Sequence, residues 1–167
     1  YIYAELLGEI QSAATALETG RHYREAAALY RERLNRPADA ARCLERGGLL
    51  DEAAVLYLQL KMYEQAAELY QRLERPDEAE RIIRVWVSDL EKQWNFLQAS
   101  EILHQKLRDI DGALAILNVG CLADLCRSVD CHQAYFALLG QTGRHEAASQ
   151  RIAGFRTQTL SKIRTDM

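Results

Sequence analysis

The chain has 167 residues and a net charge of −3, and 49% of its residues are hydrophobic while 27% are charged. This length and composition suit one globular domain, and so weak a charge provides no field that would draw the protein to nucleic acid or to an anionic membrane. No apolar run reaches the length of a membrane span, and no signal peptide precedes the first predicted helix.

The cysteine content indicates a reducing compartment, because the four cysteines do not form the pattern of a small disulfide-stabilised secreted protein. We therefore expect a cytoplasmic protein. The chain begins at Tyr1 without a methionine, so we also expect a piece of a larger multidomain protein. Its basic residues are mostly arginine, and alanine and leucine are abundant, which favours a bacterial source with GC-rich DNA.

Short helices with one repeating pattern are predicted along the first half of the chain. Each unit has an alanine as its origin, followed by larger apolar residues three and four positions later. Offsets of 0, 3, 4 and 7 lie on one face of an α-helix. The spacing of about 13 or 14 residues leaves room for a helix of about ten residues and a short turn. The origins are Ala13, Ala26, Ala40, Ala53, Ala66 and Ala79.

The residues of the predicted turns agree with this pattern. Gly20, Gly47 and Gly48 suit helix C-termini, where a left-handed residue is needed. Pro37 and Pro76 fall in predicted first turns, where a missing N–H costs nothing. Within each helix, the small alanine allows a neighbouring helix to approach closely, and the leucine or tyrosine that follows fills the space beside it.

The segment from Gly20 to Ala26, GRHYREA, and the segment from Gly48 to Ala53, GLLDEA, resemble the inter-helix turn of tetratricopeptide repeats. The resemblance covers residues 8–88. Two units make a hairpin of about 27 residues, shorter than that family's repeat of about 34 residues. The shorter hairpin is similar to those of coat-complex and intraflagellar-transport subunits and of bacterial tetratricopeptide-like arrays. The resemblance implies an all-α, right-handed α-solenoid of antiparallel helix pairs with a period of about 27 residues.

We predict one helical-repeat domain over residues 1–167, regular over 8–88 and irregular over 89–143. Insertions near 86–95 and 120–131 separate the later origins. A capping box at Ser88 to Glu91 is expected to open a new helix. Gly120 is expected to end another helix, with a short extra helix at 121–128. The later origins are Ala99, Ala113, Ala134 and Ala147.

A polar helix over residues 144–165 is predicted to cap the end of the array, because the last repeat of a solenoid exposes its outer face. It carries a basic stripe, which is either a solvated face or a contact for an acidic partner. The stripe consists of Arg151, Arg156, Lys162 and Arg164.

The outward positions of two units are the candidate binding residues. If the first helix of each pair lines the concave side, as in the resembling family, they form a groove for an extended peptide or an acidic tail; otherwise they are plain solvated surface. These residues are Arg42, Glu45, Arg46, Glu68, Gln71 and Arg72. The unit at Ala53 has the apolar residues Val55 and Leu58 outward instead, which predicts either a helix buried on both sides or an exposed docking patch.

No motif for catalysis or cofactor binding is present, and the histidines are scattered. Cys121, Cys126, Cys131 and His132 lie close together in sequence, but their spacing is poor for zinc and suits small core residues. We therefore expect no enzyme, no metal and no cofactor. We expect a scaffold that binds a protein or peptide partner. The candidate partners include other domains of the same chain. The alternatives are a self-associating subunit of a coat-like or bacterial defence-type complex, and the sensor arm of an enzyme.

Overall fold

The computed structural model describes residues 2–123 and 128–154, and all regular structure in those two stretches is helical. The all-α prediction is confirmed for them. None of their helices is both long enough and apolar enough to cross a membrane. The helices are α1 (Ile2–Thr19), α2 (Tyr23–Ala28), α3 (Pro37–Arg46), α4 (Leu50–Gln59), α5 (Tyr63–Arg72), α6 (Pro76–Lys92), α7 (Phe96–Ile102), α8 (Ile110–Ala123), α9 (Ser128–Gln141) and α10 (145–154).

The chain divides into two compact units, the first ending at Trp86 and the second beginning at Val87. The boundary falls inside α6, close to the point where the regular alanine pattern of the sequence stops. In the first unit each of α1 to α4 packs against the next helix along the chain, and in the second unit α8 packs against both α7 and α9. A single domain over the whole chain stays a prediction.

Five of the six alanine origins of the regular units lie in the core of the first unit. Ala26, Ala40, Ala53 and Ala66 are at most 1% exposed. Their small side chains let the next helix approach closely, as the offsets predicted. The larger residues that follow are buried beside them, for example Leu56 and Leu69.

A turn of the same geometry follows α1, α3, α4, α5, α6 and α9. After α4, the N–H of Met62 donates to the carbonyl of Tyr57 at 2.9 Å, and the N–H of Lys61 donates to that of Leu58 at 3.0 Å. This is the Schellman motif, which satisfies carbonyls at the helix C-terminus. It needs a left-handed residue, and Lys61 has φ +57°. The left-handed positions in the described turns are Arg21, Asn35, Gly48, Lys61, Glu74, Trp94, Arg108 and Gly143.

Two π-helical turns explain why some of the repeating units are one residue longer than the others. Residues Leu29–Arg33 continue α2 as a π turn, and Leu103–Leu107 continue α7 in the same way. Both lie in longer units, the first between Ala26 and Ala40 and the second between Ala99 and Ala113. A π turn accommodates one inserted residue within a helix. The extra residue is thus absorbed, and the alanine of the next helix is still buried.

Two details of the predicted first units are wrong. Gly20 is not the left-handed residue of its turn, because Arg21 takes that conformation with φ +63°. Ala13 is exposed, and Ala14 is the fully buried residue of α1. In the described structure α1 packs against α2 and the π turn that follows it. With a neighbour on one side, α1 buries one alanine of the adjacent pair and exposes the other.

The capping box predicted at Ser88 to Glu91 is also wrong, because α6 continues through it to Lys92. Ile83, Val87 and Leu90 are all buried. Their spacing of four and then three positions extends a single helix face across the predicted break, so continuing the helix buries more apolar surface than ending it would.

Gly120 does not end a helix but lies inside α8, which continues to Ala123. A Cβ atom at Gly120 would lie 2.6 Å from Cys131 Sγ and 2.9 Å from Phe96 Cβ. The glycine is therefore required for close packing of α7 and α9 against α8. Of the extra helix predicted at 121–128, residues 124–127 lie outside the described residues.

The last two predicted origins are wrong, since Ala134 is half-buried and Ala147 is exposed. The core positions of α9 are Cys131, Leu138 and Leu139, because this face meets α8. Residues 145–154 of the predicted cap are helical. The rest of the cap lies outside the described residues, as do Arg156, Lys162 and Arg164.

Candidate interaction surface

The outward residues of α3 and α5 lie on the surface of the first unit. Arg42, Arg46, Glu68, Gln71 and Arg72 are exposed. Glu45 is half-buried. The outward assignment is therefore confirmed for five of these six residues, whereas their use as a binding groove stays a prediction.

The arginines of this surface are bound to carboxylates of the same chain. Arg72 Nη1 lies 2.5 Å from Glu45 Oε1, and Arg46 Nη2 lies 2.7 Å from Glu18 Oε2. Arg42 pairs with Asp39 one turn earlier on α3. An acidic partner would have to compete with these carboxylates for each guanidinium, so the arrangement does not form an open cationic groove.

Tyr57 of α4 contributes to the same cluster from the core side. It is 2% exposed, and its hydroxyl donates to Glu45 Oε2 at 3.1 Å. Burial, followed by the hydrogen bond to the Glu45 carboxylate, raises the pKa of Tyr57 to about 12. Glu45 thus accepts from the core on one oxygen and from Arg72 on the other, which fixes its position between α3, α4 and α5.

Ion pairs of this kind connect alternate helices. The pair Glu18–Arg46 joins α1 to α3, and Glu45–Arg72 joins α3 to α5. On the other helices, Arg24 Nη2 of α2 lies 2.6 Å from Glu52 Oε1 of α4. These pairs were not predicted from the sequence, although the signal was present. A glutamate near the end of one helix is followed, about one period later, by an arginine near the end of the next helix but one.

A groove that we call the α2–α4 groove lies where α2 and its π turn face α3 and α4. It consists of two adjoining cavities of about 150 Å³ and 360 Å³. Ala27, Leu44 and Leu56 line its apolar floor. Val55 also lines it and is 49% exposed. Leu58, predicted to share the patch with Val55, is half-buried and does not line the groove.

Charged residues of opposite sign line the two sides of the α2–α4 groove. Arg24 on α2 and Arg31 on the π turn lie on one side, and Asp51 and Glu52 on α4 lie on the other. Arg24 and Glu52 form an ion pair across the groove. The π turn therefore contributes one of the two basic residues of the groove, Arg31.

The cysteines have the properties of core residues. Cys43, Cys121 and Cys131 are buried free thiols, and Cys126 lies outside the described residues. Burial raises the pKa of all three thiols, that of Cys43 to about 11, which keeps them in the unreactive protonated form. Within residues 2–123 and 128–154, no three His, Cys, Asp or Glu side chains are grouped so that they could hold a metal ion.

Comparison of the chain with protein-family models, with curated proteins and with solved structures gives no match. The described part of the chain defines an all-α protein whose short helices pack largely in sequence order. The α2–α4 groove in this part has an apolar floor, charges of both signs at its sides and an exposed valine.

Proposed function

We propose that this chain is a non-catalytic scaffold that binds a protein partner through tetratricopeptide-like helical repeats. In this proposal the helices form a right-handed α-solenoid of antiparallel pairs with a period of about 27 residues. Two observations support it: buried alanines recur in successive helices, and ion pairs join alternate helices about one period apart. A stack of equivalent hairpins produces both patterns, because each repeat contacts mainly its neighbours.

The exposure of Val55 beside the α2–α4 groove carries the functional part of the proposal. Full burial of a valine side chain contributes about 1.5–3 kcal/mol, and Val55, which is 49% exposed, forgoes roughly half of this. Leu44 and Leu56 extend the apolar surface beneath it. Concave apolar surfaces with a charged margin are typical of sites that bind a partner's side chains.

The occupant that fits this groove is a short amphipathic helical segment of a partner protein. The adjoining cavities can take two neighbouring apolar side chains, which a helix presents at i and i+3 or i+4. The arginines on one side and the acids on the other suit a helix with acidic residues along one margin and basic residues along the other.

The test is a peptide-display selection on the full chain, followed by affinity measurements on two matched variants. Val55→Asp places a charge in the groove. Val85→Asp is the control, because Val85 is 52% exposed on α6 and does not line the groove. We expect selected peptides to carry apolar residues at helical spacing and to bind Val55→Asp at least about tenfold more weakly, a loss of about 1.4 kcal/mol. Equal binding by both variants, or no enriched peptide, would contradict the proposal.

A second candidate function, assembly of copies of this chain, is favoured by α1. Leu6 and Leu7 are 47% and 46% exposed. Within residues 6–19 of this helix, Ala14 has the one buried side chain. Light scattering across a concentration series tests it. A rise in mass that Leu6→Glu removes supports assembly, and a monomer at all concentrations contradicts it.

We place the scaffold in the cytoplasm. This part of the proposal is supported by Cys43, Cys121 and Cys131, whose thiols are free and act as core side chains. Disulfide mapping of the protein as it is isolated from cells tests it. Reduced cysteines are expected, and a native disulfide would contradict the cytoplasmic setting.

A further inference from the structure

The turn between α6 and α7 differs from the other described turns in its left-handed residue. Trp94 has φ +60°, whereas the equivalent position elsewhere holds a glycine or a polar or charged residue. A bulky side chain is disfavoured in this conformation. Trp94 is also 55% exposed, so burial offsets only part of the cost.

The Trp94 indole borders a cleft of about 390 Å³ in the second unit, which we call the Trp94 cleft. Leu97 on α7 adds an exposed apolar surface, and Asp130 on α9 adds a carboxylate. The amide side chains of Gln93 and Asn95 complete a polar margin. Among the described residues that line the cleft, one is acidic and none is basic.

The floor of the Trp94 cleft is held by close packing. Phe96 is buried, and its ring meets the Trp94 indole edge-to-face with the ring centroids 5.9 Å apart. Cys131, which also lines the cleft, is buried. Gly120 lets Phe96 and Cys131 lie directly against the backbone of α8. The aromatic pair and the start of α9 are therefore fixed relative to each other, which prepares the cleft for a ligand.

We propose that the Trp94 cleft binds an arginine or lysine side chain from a basic segment of a partner protein. The indole offers the best aromatic surface for a cation, and the Asp130 carboxylate supplies the opposite charge. The aliphatic part of the side chain packs on Leu97, and the amide oxygens of the margin accept hydrogen bonds from its head group.

Two arginines of the chain already contact aromatic rings in this way. The Arg75 guanidinium carbon lies 5.1 Å from the centre of the Tyr70 ring, and that of Arg151 lies 5.4 Å from the centre of the Tyr135 ring. An anionic ligand is disfavoured by Asp130, and a purely apolar ligand leaves the polar margin without partners. This site is separate from the α2–α4 groove, and its test does not depend on that groove.

The test is an NMR titration of the full 15N-labelled chain, whose two indole N–H signals come from Trp86 and Trp94. The probe is a capped five-residue peptide of alternating alanine and arginine. Its control is the same peptide with citrulline, which has nearly the shape of arginine without the charge. We expect the arginine peptide to shift the Trp94 signal with saturation, and the citrulline peptide to bind at least about fivefold more weakly.

Variants of the chain separate the contributions of the two residues. Trp94→Gly keeps the turn, because glycine adopts a positive φ without strain. It should lower affinity at least about fivefold, and Asp130→Asn by about threefold. Glu146→Gln removes another exposed acid of the second unit, and it should leave the affinity unchanged.

Three results would overturn the proposal. The first is that the citrulline peptide binds as tightly as the arginine peptide. The second is that the arginine peptide shifts other signals but not the indole N–H signal of Trp94, and the third is that binding does not saturate below about 10 mM peptide. If Trp94→Gly loses its helical circular dichroism, the comparison of the two peptides on the unaltered chain and the Asp130→Asn variant still decide the matter.

Discussion

Arg72 on α5 reaches back one repeat period to Glu45 on α3, and their Nη1 and Oε1 atoms lie 2.5 Å apart. The same relationship joins Arg46 on α3 to Glu18 on α1. Each pair is largely exposed on its arginine side, so it adds at most about 1 kcal/mol to stability. The two pairs show that equivalent positions of alternate helices face each other.

The π turn at Leu29–Arg33 predicts an asymmetry between two single-residue deletions. Deletion of Glu32 removes the extra residue of a longer unit and converts the π turn to an α turn, so Ala40 keeps its place. Deletion of Glu68 on α5 rotates Leu69 out of the core instead. Urea denaturation should give a loss of about 1 kcal/mol or less for the first and more than about 3 kcal/mol for the second. Equal losses would show that the π turn does not carry the inserted residue.

Two alanine substitutions at helical glycines should change stability in opposite directions. At Gly120 the new Cβ would lie 2.6 Å from Cys131 Sγ, so Gly120→Ala should cost about 1–3 kcal/mol. At Gly140, in α9, a Cβ meets nothing within 4 Å. Gly140→Ala should therefore stabilise by about 0.5–1 kcal/mol through helix propensity. Thermal unfolding of both variants is the measurement, and a harmless Gly120→Ala would contradict the close packing of α7, α8 and α9.

The raised pKa of Tyr57 predicts a loss of stability in alkaline solution. A free tyrosine ionises near pH 10, whereas Tyr57 in the folded chain does so at about 12. Between these values the unfolded state releases a proton that the folded state keeps, so unfolding becomes easier as pH rises. Urea titrations from pH 8 to 11.5 should show this loss, on the order of 1–3 kcal/mol, in the native chain and a smaller one in Tyr57→Phe. The same slope in both would exclude Tyr57 as its source.

The positions of α3, α4 and α5 could be predicted from the sequence because their signal is local. A buried alanine, a larger apolar residue three or four positions later and a short turn are all encoded within one unit, and each unit repeats the others. The π turns could not be predicted, because an extra residue can equally lengthen a loop. The continuity of α6 was missed because Ser88 and Glu91 match a local cap signal, which the buried Val87 and Leu90 outweigh through packing.

The candidate site could be predicted only in part. Val55 was identified because an apolar residue at an outward offset is unusual among its neighbours. The groove beside it depends on how α2, α3 and α4 meet, and its arginine side depends on a π turn. The engagement of Arg46 and Arg72 by carboxylates likewise depends on helices that are distant in sequence. The exposure of Trp94 follows from its turn position, which becomes apparent once the turn geometry is known.

The packing of small alanines between successive helices underlies every other statement about the fold and its surfaces. Ala66→Leu and Glu68→Leu introduce the same side chain at two nearby positions on α5, one in the core and one on the exposed face. The free energy of unfolding, measured by urea denaturation, should fall by about 1–3 kcal/mol for Ala66→Leu and change by less than about 0.5 kcal/mol for Glu68→Leu. Equal effects of the two substitutions would contradict the repeat packing.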